Sequence, residues 1–179
     1  MMFSIGGDPI MIGHSPEDDE ENIPLLTDLL DGSPAGDTPL CHQIEEVIAA
    51  ITWVAPELRT ARKKVAVVIY TDGEATDGDI AKTIKPLHDL PVCLVIRLCT
   101  DKGRQVRYWN NAEKTLEITM DVLDDHLGES KQIMKKNKWL TYGAPLQQMR
   151  EFGTMSNECD MLDEVKLSAD QMRNFCAFL

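Results

Sequence analysis

Asp72 closes an uncharged run, Val65-Ala66-Val67-Val68-Ile69-Tyr70-Thr71, and is followed at once by Gly73 and Glu74. A carboxylate at the end of a buried strand, where a sheet meets water, can reach a metal ion or ligand. Sites in doubly wound folds gather at the carboxyl ends of strands for this reason. The same residues also read as an Asp-Gly turn. Thr38 stands 34 residues earlier (72 − 38), in Gly36-Asp37-Thr38-Pro39-Leu40, where a helix opens. Its hydroxyl reads first as a helix cap, with Pro39 at the first helical position. Beside a carboxylate it also suits Mg²⁺, a hard cation that takes oxygen ligands. In a parallel α/β topology this helix start and this strand end can meet on one face, with Asp37 or Glu74 as neighbours.

Other constellations carry less. The stretch Asp72-Gly73-Glu74-Ala75-Thr76-Asp77-Gly78-Asp79 is acidic enough to suggest a calcium loop. Its Gly falls at position seven, however, and Thr83 stands where the closing Glu belongs. It reads as an acidic turn that caps the next helix. His14, His42, His88 and His126 show no metal-ligand spacing. His42, one turn into the Thr38 helix, is the one that could stand on a site rim. There is no Walker loop, no dinucleotide fingerprint and no nucleophile elbow. Trp109 and Trp139 lie among polar residues and read as half-buried at helix ends or as partner contacts. Cys41, Cys93, Cys99, Cys159 and Cys176 are odd in number and irregularly spaced, which reads as free thiols in a reducing compartment.

The elements needed to position Asp72 are legible. Residues 65–70 and the Leu94-Val95-Ile96 run within residues 91–98 are continuous apolar strands of the kind buried on both faces of a parallel sheet. Residues 79–87 read as the helix between them, which makes a βαβ unit with adjacent parallel strands. Before it, Leu40, Ile44, Val47, Ile48, Ile51 and Val54 recur at helical spacing, and Pro56 limits or kinks the far end. Residues 1–5 and 10–12 read as a hairpin around Gly6-Gly7-Asp8-Pro9. The run Glu17-Asp18-Asp19-Glu20-Glu21 reads as a solvated loop before a short helix at 23–30. Residues 31–37 form a loop. Residues 116–122 read as a third core strand, 123–135 as an amphipathic helix and 139–143 as a loop. A short helix follows at 145–151, and residues 163–179 read as largely helical with Ser168 as a cap. The fold class is therefore α/β, an open, mostly parallel, Rossmann-like sheet flanked by helices, with an antiparallel edge hairpin.

A chain of 179 residues fits one domain and can bury a core without staples. Its hydrophobic content of 43% and charged content of 27% are those of an ordinary soluble globule. Lys and Arg number 18 and Asp and Glu 30, a net charge of −12. Such a field repels phosphate backbones, so neither nucleic acid nor an anionic membrane surface is an expected partner. The opening residues lack the basic and apolar regions of a signal peptide. Together with the thiols, this points to an intracellular, cytoplasmic address.

At Thr38 and Asp72 the sequence resembles the von Willebrand factor type A (vWA) domain family. The pattern is carried by GDTPLCHQIEEVI and VAVVIYTDGEATDGDI, with PVCLVIRL resembling the family's next core strand. The resemblance covers roughly residues 1–125 as an α/β core, and residues 126–179 are expected to form a helical part packing on or extending the same domain. It implies a protein–protein interaction module rather than an enzyme. It also implies a partial metal-ion-dependent adhesion site, in which Mg²⁺ on Thr38 and Asp72 coordinates an acidic side chain of a partner protein. The family's Asp-x-Ser-x-Ser motif is absent; the nearest match, Asp31-Gly32-Ser33-Pro34-Ala35, lacks the second Ser. The first strand is thus expected either upstream or lost. Two other readings stand beside this one. A haloacid-dehalogenase-like phosphohydrolase also places an Asp after a buried strand and uses Mg²⁺, but needs a second Asp two residues on, where this chain has Glu74. The third is a structural fragment with no metal site.

Overall fold

The computed structural model describes residues 2–3, 10–13, 15–32, 37–100, 102–116, 120–153 and 156–178. They fall into two compact units, Met1–Ala50 with Ala75–Ile84, and Ile51–Glu74 with Lys85–Leu179.

In the first unit β1 (Met2–Phe3) and β2 (Ile10–Met11) pair antiparallel as a two-stranded sheet of their own. The hairpin thus forms, but not as the edge of a larger sheet. Its Gly-rich turn lies outside the described residues, as do Gly36 and most of the loop before Asp37. Helix α1 (Pro16–Asp31) includes the acidic run expected as a loop. The Ser15 hydroxyl accepts from the Asp18 N–H at 3.1 Å, and Pro16 opens the helix. Glu17, Asp18 and Asp19 then sit where the helix dipole favours negative charge. Helix α2 (Leu40–Thr60) begins in this unit, and the short α3 (Ile80–Ile84) closes it. Cys41, Ile44, Ile80 and Ile84 are its buried apolar residues.

In the second unit α2 continues past Pro56 to Thr60, so of the two expectations for Pro56, a limit or a kink, it does not limit the helix. Ala55 is buried there, and Arg59 Nη2 donates to Asp89 O at 2.6 Å. The helix ends in a Schellman turn, with Lys63 N–H on Leu58 O and Arg62 N–H on Arg59 O. Strands β3 (Val65–Thr71), β4 (Val92–Leu98) and β5 (Met120–Leu123) then form one parallel sheet in the order β3-β4-β5. The register runs from Val65 beside Val92 to Thr71 beside Leu98. The α/β fold and the adjacent parallel strands are as the apolar runs require. The helix expected at 79–87 is instead α3 followed by a 3₁₀ turn at Lys85–Asp89, where Pro86 disrupts the α ladder. Strand β3 is not buried on both faces. Ala66 and Tyr70 are exposed, because β3 is an edge strand, whereas Leu94, Val95 and Ile96 of central β4 are fully buried.

Helix α4 (Gly103–Thr115) was not foreseen from the sequence and follows β4. The described part of the third core strand starts at Met120; residues 117–119 lie outside the described set. Helix α5 (His126–Lys136) starts three residues later than expected, because Asp125 caps it by accepting the Gly128 N–H at 2.6 Å. Helices α6 (Ala144–Glu151), α7 (Asn157–Asp160) and α8 (Ala169–Phe178) complete the unit. Of the stretch 163–179, expected to be largely helical, the ten residues Ala169–Phe178 are described as helix. Ser168 and Gln171 form a reciprocal capping box there. Ile133, Tyr142, Leu146, Cys159, Leu162, Leu167 and Phe175 share one apolar cluster, with Leu140, Met161 and Met172 packed against it. Asn137, fully buried beside it, donates to Leu162 O and Val165 O and accepts from Leu167 N–H and Trp139 Nε1. All five thiols are unpaired. Among the described residues no helix is long and apolar enough to cross a membrane.

Candidate functional site

Strand β3 delivers Asp72 to the carboxyl edge of the sheet, and the turn beyond it is fastened from two directions. The buried Thr71 hydroxyl accepts from the Gly73 N–H at 3.3 Å and bonds Gly73 O at 3.1 Å. Gly73 O also accepts Trp109 Nε1 from α4 at 3.1 Å. Trp109 is 0% exposed, so this donor is fixed by packing and is neither half-buried nor a partner contact. Arg104, in the first turn of α4, reaches Glu74 at 3.3 Å. The turn is therefore pre-set while Asp72 itself stays exposed. Among the described residues of its unit, no hydrogen bond or ion pair occupies its carboxylate. A solvent-facing carboxylate is an acceptor for a cationic or N–H donor from outside, the stronger class of hydrogen bond.

Thr38 belongs to the other unit, and its local role differs from the one expected. The N–H of Thr38 donates to Thr76 Oγ1 at 2.9 Å, and its carbonyl accepts from Thr76 N–H at 3.0 Å and Leu40 N–H at 2.8 Å. The free amides at the start of α2 go to Asp77. Its carboxylate accepts Cys41 N–H at 3.0 Å and His42 N–H at 2.9 Å. These bonds, led by that from His42, hold the Asp77 carboxyl below its ordinary range. Asp77, 36 residues beyond Cys41, supplies the side-chain cap expected from Thr38. Its partners lie beyond any local capping pattern.

The donor chemistry was tested against Mg²⁺. Near-octahedral oxygen coordination needs several free donors around one point. At the turn, the Thr71 hydroxyl is committed to Gly73 and the Glu74 carboxylate to Arg104, which leaves Asp72 alone. Near Thr38, Asp77 is committed to helix amides. Among the described residues no group of three or more His, Cys, Asp and Glu side chains is placed to hold a metal ion. Among the described residues, neither unit by itself gathers the set of oxygen donors that Mg²⁺ takes.

A second polar centre lies further along the sheet. Arg150 of α6, 1% exposed, makes four hydrogen bonds. Two go to the Asp121 carboxylate of β5 at 3.2 and 2.9 Å, one to Glu129 of α5 at 2.8 Å and one to Asp163 at 3.2 Å. Glu129 also accepts the Asp124 N–H at 2.8 Å. Three carboxylates thus share one guanidinium. Burial pushes Asp121 above its ordinary range and Glu129 up to about 7, against the pull of Arg150. Glu113 of α4 covers the outer edge of β5 by accepting Val122 N–H at 3.0 Å, and burial pushes it up to about 8. A cavity of about 160 Å³ lies between α4 and α5 at the carboxyl ends of β4 and β5. Leu98, Val106 and Val122 supply its apolar wall, and Glu113, Asp124, Glu129, Asp163 and Glu164 its carboxylates. Glu113, Asp124, Glu129 and Asp163 already accept hydrogen bonds within the protein, and Glu164 is exposed to solvent. Next to it Tyr142 Oη, Gln147, Glu151 and Arg97 are linked in series at 2.7, 2.8 and 2.6 Å. This chain ties α6 to β4.

Of the sequence-predicted residues, Asp72 stands exposed just beyond the carboxyl end of β3, and Thr38 sits in a separate unit on backbone contacts. Trp109 and Arg104, which reach the turn from α4, were missed because α4 was missed. Its amphipathic positions Val106, Trp109 and Ala112 were the available signal. The cluster around Arg150 had none, since its members are up to 42 residues apart (163 − 121) with no periodic relation. The family models, the curated proteins and the solved structures contain no match to this chain.

Proposed function

We propose that this chain is a protein-interaction module of the vWA kind rather than an enzyme, and that it binds a basic group of another protein directly through Asp72. The observation that carries this reading is the clamped turn at the carboxyl edge of the sheet. Trp109 and Arg104 hold Gly73 and Glu74, and Asp72 is left exposed with no described partner in its unit. Pre-organisation of this type lowers the ordering cost of binding. The phosphohydrolase alternative asks Glu74 to act as a free acid and base, and that carboxylate is paired with Arg104.

The test is affinity capture with the wild-type chain and Asp72→Ala, compared by quantitative mass spectrometry in Mg²⁺ and in chelator. Partners depleted by Asp72→Ala in both buffers are expected. Partners lost on chelation would return the reading to a cation bridge to an acidic side chain. Identical captures by the two chains would refute a role for Asp72.

A further inference from the structure

Among the described residues the outer edge of β3 carries no paired strand. Within the three-stranded sheet β4 is its one neighbour, and no described strand pairs on the other side. In a parallel ladder, alternate residues turn their N–H and C=O toward a given neighbour. Val65 N–H donates to Pro91 O at 2.9 Å, and Thr71 O accepts from Cys99 N–H at 2.8 Å. The odd-numbered residues therefore face β4, and Ala66, Val68 and Tyr70 present their N–H and C=O groups outward. Ala66 and Tyr70 are exposed and Val68 is half-buried. Edge strands of this length are normally blunted by a charge, a proline or a bulge. Val65–Thr71 has no charge and no proline, and its pairing with β4 is unbroken across all seven residues.

The charges lie just beyond its two ends. Exposed Lys64 precedes the strand and exposed Asp72 follows it. We propose that the occupant of this edge is a second copy of the same chain, paired antiparallel about Val68. This deepens the reading of Asp72 as a protein-contact group, on which it rests, by naming the partner.

The register follows from the outward-facing residues. Val68 lies opposite its own copy, and Ala66 lies opposite the second copy's Tyr70, a small side chain beside a large one. One step further on each side, Lys64 lies opposite the second copy's Asp72. Every outward-facing residue of β3 thus meets another outward-facing residue, as an antiparallel hydrogen-bonded pair requires. The interface is isologous, so it closes at two copies instead of propagating. A three-stranded sheet becomes a continuous six-stranded one, and two Lys–Asp cross-strand pairs seal its ends. Opposite charges at both ends select this antiparallel register. The parallel alternative would set like charges against each other.

Sedimentation of the whole chain over a concentration series tests the proposal. The wild type is expected to show a reversible monomer–dimer equilibrium. Lys64→Glu and Asp72→Lys should each weaken it by at least about fivefold, since each turns two attractive cross-strand pairs into repulsive ones. An equimolar mixture of the two should recover a heterodimer, because each variant then supplies the charge the other lacks. Val68→Pro should leave a folded monomer, because only an outward N–H is removed and edge strands tolerate proline there. Circular dichroism checks the fold of each variant. Val68→Pro also separates the two readings, since it spares Asp72 and with it any Asp72-dependent capture of other proteins. A wild-type chain that stays monomeric at every concentration would overturn the proposal. So would charge variants whose mixture fails to associate, or open-ended assembly in place of a dimer.

Discussion

Replacing Arg150 by Met should cost about 3–5 kcal/mol of folding stability near pH 8, the range for removing one partner of a buried ion network. The magnitude rests on what is left behind. The side chains of Glu129 and Asp121 are 1% and 6% exposed, and among the described residues neither is paired with another cation. Asp163, at 21%, can rehydrate and contributes little. The sign of the pH dependence follows from burial. Asp121 and Glu129 are held above their ordinary range even with Arg150 present, and without it they rise further. Between the unfolded carboxyl values and these raised ones, the folded chain binds more protons than the unfolded chain. Stability therefore falls as pH rises through that window. The loss should be smaller at pH 5, where Glu129 can be neutral, than at pH 8. Urea unfolding followed by circular dichroism at the two pH values measures it. Arg150→Lys should fall between wild type and Met, because one ammonium cannot replace a four-bond fork. A loss below about 1 kcal/mol at pH 8, the worth of an exposed pair, would refute the reasoning, as would equal losses at both pH values.

Glu113, pushed up to about 8, makes wild-type stability fall between about pH 5 and pH 8, at no more than about 1.4 kcal/mol per pH unit. Glu113→Gln, which can still accept Val122 N–H, should flatten that slope in the same urea series. Asp77→Ala should speed hydrogen exchange at the Cys41 and His42 amides while leaving the amides of β4 protected. Because the Asp77 carboxyl is held low, the wild-type protection should persist down through the ordinary carboxylate range and be lost only as pH falls through its folded value. Trp109→Phe removes the donor to Gly73 O from a buried site, at a cost of about 1–3 kcal/mol. It should also raise exchange at the Gly73 amide, read by NMR.

The parallel pair β3–β4 was legible because two apolar runs lie at βαβ spacing, and their pattern is local. The difference between them was not. Val65–Thr71 and Val92–Leu98 look alike as sequences, yet one is an edge and one is central, and only the neighbouring strands decide that. The capped start of α1 was legible in Ser15-Pro16-Glu17-Asp18 and was masked by reading charge density as loop. Pro56 misled because proline's local penalty was outweighed by the packing of Ala55 and the Arg59–Asp89 contact beyond it. Asp72 could be found because a strand end marks it. Its supports, Trp109 and Arg104, come from a helix whose charged and amide residues hide a narrow apolar stripe. The Arg150 cluster is a property of tertiary structure alone.

Zero-length carbodiimide coupling joins a carboxylate to an amine only when the two touch, which makes it the most direct test of Asp72 as a protein-contact group. The Asp79–Lys82 pair, 3.0 Å apart, is the internal control. Coupling an equal mixture of unlabelled and ¹⁵N-labelled chains, followed by peptide mass spectrometry, should yield the Asp72 peptide joined to a lysine peptide of another polypeptide. If the partner is a second copy, a Lys64 peptide carrying the opposite label should be found. An Asp72 that stays unlinked to any other polypeptide, while Asp79 and Lys82 are coupled, would contradict the claim.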